Sequence, residues 1–95
     1  MKYEIWQLKK ENMRAYGFMD YDWAKEHGFS LNDYEKTYEG EIDGATIPAI
    51  LEDLFMIFNI RRPEDFKGRS LSVSDIICLD GKRYYCEPCG YMKIA

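Results

Sequence analysis

From Phe58 to Tyr91 the chain reads FNIRRPEDFKGRSLSVSDIICLDGKRYYCEPCGY, and this stretch leaves little freedom in how it folds. Pro63 ends whatever helix precedes it, because the residue before a proline avoids the helical region. Pro63 to Phe66 has room for one short turn, and Gly68 punctuates the loop. Ser72 to Leu79 enters an apolar strand. Asp80-Gly81 is a two-residue turn of the kind that joins antiparallel strands, and Lys82 to Cys86 returns. Pro88 and Gly90 bend the chain before a last short strand, Tyr91 to Ile94. A hairpin in water is marginal by itself, so the remaining sequence has to cover it.

The upstream sequence offers that cover. Thr46 caps a helix with Pro48 in its first turn, where a missing N–H is tolerated. Apolar residues at 47, 50, 51, 54, 55, 57 and 58 keep the helical period, and Glu52, Asp53 and Asn59 fall on the wet side. Lys2 to Lys9 reads as a strand rich in Tyr, Ile and Trp, with an alternation too imperfect to assign its inner face. Glu11 to Gly17 reads as a connection. Asp20 caps a short helix that carries Trp23 and Ala24 and stops at His27-Gly28. Tyr34 to Ile42 is a second strand. Tyr34, Lys36 and Tyr38 occupy its even positions, and Glu35, Thr37, Glu39 and Glu41 form a polar face on the odd ones. The expected class is α+β: an antiparallel sheet of four to five strands, one main helix on one face and one short helix.

Composition sets limits on function. The 95 residues suffice for one domain, residues 1–95, and 46% of them are apolar, eight of them tyrosine. A formal charge of −4 speaks against a nonspecific nucleic-acid binder, which needs a basic face. Ile47 to Ile60 is too short to span a bilayer, and no apolar leader follows Met1. Three cysteines, an odd number, suit a reducing cytoplasm.

Phe58-Asn59-Ile60, Pro63-Glu64-Asp65-Phe66, Gly68, Ser70 to Ile76, Asp80-Gly81, Tyr84-Tyr85 and Gly90-Tyr91 together resemble the signature of the YodL-like family. Trp23, Tyr34, Tyr38 and the Leu51–Phe55 segment fit it more loosely. The resemblance implies a domain carried mostly by conjugative elements, plasmids and phages. It implies neither an enzymatic activity nor a cofactor. Cys86-Glu87-Pro88-Cys89 departs from the pattern, which has an aliphatic residue and an aromatic residue at the two cysteine positions.

Several constellations invite chemistry, and each has a plainer explanation. Cys86-x-x-Cys89 with Cys78 suggests zinc or redox work, but a structural zinc needs four ligands and a redox pair needs a following helix. Two semi-buried thiols in a turn explain it. Ser70, Ser72 and Ser74 with Asp75 lack a nucleophile elbow and fit side-chain bonds to a turn backbone. His27 has no partner beside it and fits a helix C-terminus. Glu35, Glu39, Glu41 and Asp43 form a row of carboxylates that either imitates a phosphate backbone or solvates the outer face of a sheet. Arg61, Arg62, Lys67 and Arg69 either grip an acidic partner or solubilise a loop.

The leading expectation is a non-enzymatic binding protein of a mobile element. It would inhibit a host or defence protein, such as a CRISPR effector nuclease or restriction enzyme, by occluding its surface. The expected contacts are Glu35, Tyr38, Glu39, Glu41, Arg61, Arg62, Lys67 and Arg69, with no metal and no membrane. A small nucleic-acid-binding accessory factor for element transfer is the alternative, made less favourable by net acidity. A zinc or redox module built on Cys78, Cys86 and Cys89 is a further one.

Overall fold

Strand β1 (Lys2–Leu8) is paired on both sides, and the sheet grows outward from it. The computed structural model describes all residues, Met1 to Ala95. β2 (Tyr34–Glu41) lies on one side of β1 and β3 (Ile76–Leu79) on the other. β4 (Lys82–Cys86) and β5 (Tyr91–Lys93) follow, giving the order β2-β1-β3-β4-β5 with every pair antiparallel. The β3–β4 turn places both Asp80 (φ 46°) and Gly81 (φ 84°) in the left-handed region. That conformation matches the twist of the strands it joins, and a side chain is tolerated there best as Asp or Asn. The Asp-Gly signal is therefore realised as a hairpin.

Helix α3 (Ile47–Ile60) lies across one face. Thr46 Oγ1 accepts from the Ala49 N–H at 3.2 Å, satisfying one of the free donors of the first turn. Ile50, Leu51, Leu54 and Phe58 are its buried stripe. They pack with Tyr3 and Ile5 of β1, Ile77 and Leu79 of β3, Cys86 of β4, and Phe66 and Leu71 of the following loop. The α+β expectation, with one main helix on the sheet, holds.

The opposite face is not simply solvated. Glu11 to Gly17, expected as a connection, contains a 3-10 turn (Lys10–Asn12) and the short helix α1 (Met13–Tyr16). Helix α2 (Tyr21–Glu26) and a second 3-10 turn (Leu31–Asp33) follow. Asp20 caps α2 as expected, accepting from the Trp23 N–H at 2.8 Å. Together these turns cover Leu8, Ile76, Tyr34 and Tyr85 with Tyr16 and Ala24, and Phe29 packs against the same cluster. The ambiguity of β1 is thus explained: Tyr3 and Ile5 serve one core while Trp6 and Leu8 serve the other.

One further boundary moves. Ser72 to Asp75 is a turn and not the start of a strand, because Asp75 N–H bonds back to the Ser72 carbonyl at 3.1 Å and Ser74 adopts φ 81°. β3 begins only at Ile76.

Candidate functional site

Of the residues proposed from sequence to meet a partner, Glu35, Tyr38, Glu39 and Glu41 lie on β2, which is an outer strand of the sheet. Their arrangement depends on one irregularity. Ile5 pairs with Tyr38 but Trp6 pairs with Lys36, so Thr37 is an extra residue opposite no partner. Such a bulge reverses the side-chain alternation beyond it. Tyr34 therefore enters the core under α1 and α2, whereas Tyr38 enters the core under α3. The expected single polar face does not exist: Glu35 shares the face of Gln7, and Glu39 and Glu41 lie on the opposite face beside Glu4 and Lys2. All three glutamates are exposed and straddle the edge of the sheet.

Tyr38 is anchored. Its ring meets Phe58 at 5.3 Å and Phe66 at 6.0 Å, and its hydroxyl donates to Asp65 Oδ1 at 2.8 Å. Lys36 reaches Glu39 at 2.8 Å and Glu4 at 3.7 Å. Its hydrogen bond and charge hold the Glu39 carboxyl below the usual range. Part of the acidic row is therefore neutralised by the protein's own lysine.

The 61–69 loop divides. Arg61, Arg62 and Lys67 are exposed and form no ion pair. Lys67 lines a cleft with Lys10, Lys36 and Glu35. Arg69 turns inward: its guanidinium donates to the Leu8 carbonyl at 3.3 Å, to Met13 Sδ at 3.3 Å and to Asp75 Oδ1 at 3.2 Å. It clips the helical layer to the β3 turn.

Asp75 is the centre of that clip and has no exposed surface. Besides Arg69 it accepts from Gln7 Nε2 at 3.1 Å and from the Ser72 N–H at 2.9 Å. Burial pushes its pKa up to about 6, against the pull of these donors. Gln7, unremarked in the sequence, is the buried polar residue of β1. Its amide also donates to the Arg69 carbonyl at 2.9 Å, while Gln7 Oε1 and Arg69 Nε have no partner in the protein. A Cβ at Gly68 would collide with Gln7 Oε1 and the Phe66 ring, so the loop passes here only as glycine. The serines do structural work as well. Ser74 Oγ accepts from the Phe18 N–H at 3.0 Å, and the Ser74 carbonyl accepts from the buried Tyr34 hydroxyl at 2.6 Å.

The other constellations disperse. Cys78 and Cys86 point to opposite faces of the sheet, and Cys89 is exposed in the β4–β5 turn. Burial pushes the Cys86 thiol well up, away from the thiolate that metals and disulfide exchange require. No three His, Cys, Asp or Glu side chains are grouped to hold a metal ion. His27 stacks on Trp23 with ring centroids 4.0 Å apart, and its Nδ1 is 2.8 Å from the Trp23 carbonyl. No helix is long and apolar enough to cross a membrane.

A family model described as a YodL-like domain matches residues 2–95. No curated protein and no solved structure matches the chain.

Proposed function

Because the chain belongs to the YodL-like domain family over residues 2–95, with the mobile-element setting that its signature implies, we propose that it is a non-enzymatic binding protein. It inhibits a host or defence protein, of the CRISPR effector or restriction nuclease type, by occluding a surface that handles nucleic acid. The observation that carries this reading is the outer strand β2. Glu35 stands on one side of the edge, and Glu39 and Glu41 on the other. Carboxylates on both sides of a free edge meet a basic groove edge-on, as the two phosphate rows of a duplex do. Support also comes from how the polar groups are used: Ser72, Ser74, Asp75 and Arg69 all bind other parts of the fold.

The test is a purified nuclease of this type, titrated with the wild-type chain and with the Glu35→Gln/Glu39→Gln/Glu41→Gln variant. The wild type forms a stable complex and blocks cleavage. The variant melts normally, because the replaced side chains are exposed, yet binds more weakly and with less sensitivity to salt. Equal binding by both at low salt would refute the carboxylate contact.

A further inference from the structure

On the sheet face away from α3, the helical layer leaves part of the Trp6 row uncovered. A cavity of about 330 Å³ opens there. Its floor is Trp6 and Ile76, which pair across β1 and β3. The indole is fixed in orientation, its Nε1 donating to Glu4 Oε1 at 2.9 Å. Leu31, from the second 3-10 turn, lines one wall and is left 42% exposed.

Two cations flank this apolar floor. Lys9 leaves the end of β1 on one side and reaches the Asn32 carbonyl at 3.0 Å, which uses one of its three donors. Arg83 stands on the other side, opposite Cys78 in the neighbouring row of the sheet, roughly 7 Å along the strands. Neither forms an ion pair, and no carboxylate lines the cavity. Glu4, across the indole, is already engaged by Trp6 and Lys36. Asn32 bonds Lys9 and Ser30 only through its backbone, so its carboxamide offers a donor and an acceptor side by side.

An apolar occupant would leave both cations unanswered, and a simple anion would leave Trp6 and Leu31 in water. A flat aromatic group joined to an anion answers both. We propose that this cavity binds one nucleotide unit, with the base on the Trp6 indole, the base edge against Asn32, and the phosphate held by Lys9 and Arg83. Stacking on an aromatic side chain tolerates any base, and paired hydrogen bonds from Asn favour adenine. The volume lies at the lower end of the range for small-molecule sites, so it holds one unit and not two. Net acidity argues against a long basic track, but it does not bear on a pocket of this size.

Trp6 emission reports the site once Trp23→Phe removes the other tryptophan. The probes are the four ribonucleoside monophosphates, adenosine, ribose 5-phosphate and a single-stranded RNA oligomer. At least one monophosphate or the oligomer quenches saturably. Adenosine binds about tenfold more weakly than its monophosphate, and ribose 5-phosphate does not quench. Lys9→Gln/Arg83→Gln lowers affinity about tenfold without changing the melting temperature. An oligomer that binds more tightly and with a steeper salt dependence identifies a strand as the source, and equal affinity identifies the free nucleotide. Absence of saturable quenching by every monophosphate and by the oligomer, or undiminished affinity of the double variant, would overturn the proposal.

Discussion

Asp75 shows at the scale of one residue how a polar group is held inside this fold. Its carboxyl has no exposed surface, and Gln7, Ser72 and Arg69 surround it. A perturbed carboxyl in a cleft is a candidate for chemistry. Asp75 lines none of the open cavities described above, and its donors come from elements that must be tied together. Its role is to fasten β1, the 61–75 loop and the α1 layer. The pH dependence follows. The folded pKa is raised from 3.8 to about 6, so the folded state holds this proton more tightly than the unfolded chain. Stability from protonation is fully present below 3.8 and is lost as pH rises through about 6. Relative to Asp75→Asn, the wild type should lose about 2 kcal/mol between pH 4 and pH 7. Denaturant unfolding of both proteins across that range checks this, and parallel profiles would show that Asp75 does not titrate as described. Sequence alone offered no route to this network. Ser72 and Asp75 are local and were legible as side-chain bonds to a turn backbone at a strand entry, but Gln7 lies 68 positions from Asp75 and looks like any polar residue in a strand.

At the scale of the elements, α3 and β2 behave differently. α3 was legible because everything that defines it is local: a capping threonine, a proline in the first turn, an apolar stripe and Arg61-Arg62-Pro63 at its end. Leu54→Ala and Phe58→Ala should each cost about 2–5 kcal/mol, since both side chains are fully buried. A loss below half a kcal/mol for both would remove α3 from the core. Phe55, equally periodic in sequence, is only partly buried and packs on Tyr91 at 6.3 Å. β2 was legible as a strand but not in its facing. Period-two reasoning put Tyr34 and Tyr38 on one side, whereas the register with β1 adds Thr37 and sends them to opposite cores. Nothing local marks that bulge, because it is set by what the two cores on either side of β1 require. Deleting Thr37 should therefore be far more disruptive than Thr37→Ala. It would force one of the two tyrosines out of its core or break the β1–β2 pairing. A deletion variant with near-native melting temperature would mean that the bulge does not set the facing.

At the scale of the whole molecule, two clusters sandwich one five-stranded sheet, and the polar chemistry noticed in the sequence is largely internal. What faces outward is the β2 edge with its three glutamates, the free cations Arg61, Arg62 and Lys67, and the Trp6 cavity. The family resemblance was readable from motifs in the 58–91 segment, and the match extends over 2–95. The proposed contact surface was not readable in the same way, since it depends on which strand lies outermost and on which side of it each glutamate stands. The β2 edge is the proposed contact. Amide hydrogen exchange of the chain, alone and with a purified nucleic-acid-processing effector, tests it most directly. Slowed exchange of backbone amides across Tyr34–Glu41, with α2 unchanged, is the expected result. A complex that protects α2 while leaving β2 untouched, or no complex with any such effector, would contradict it.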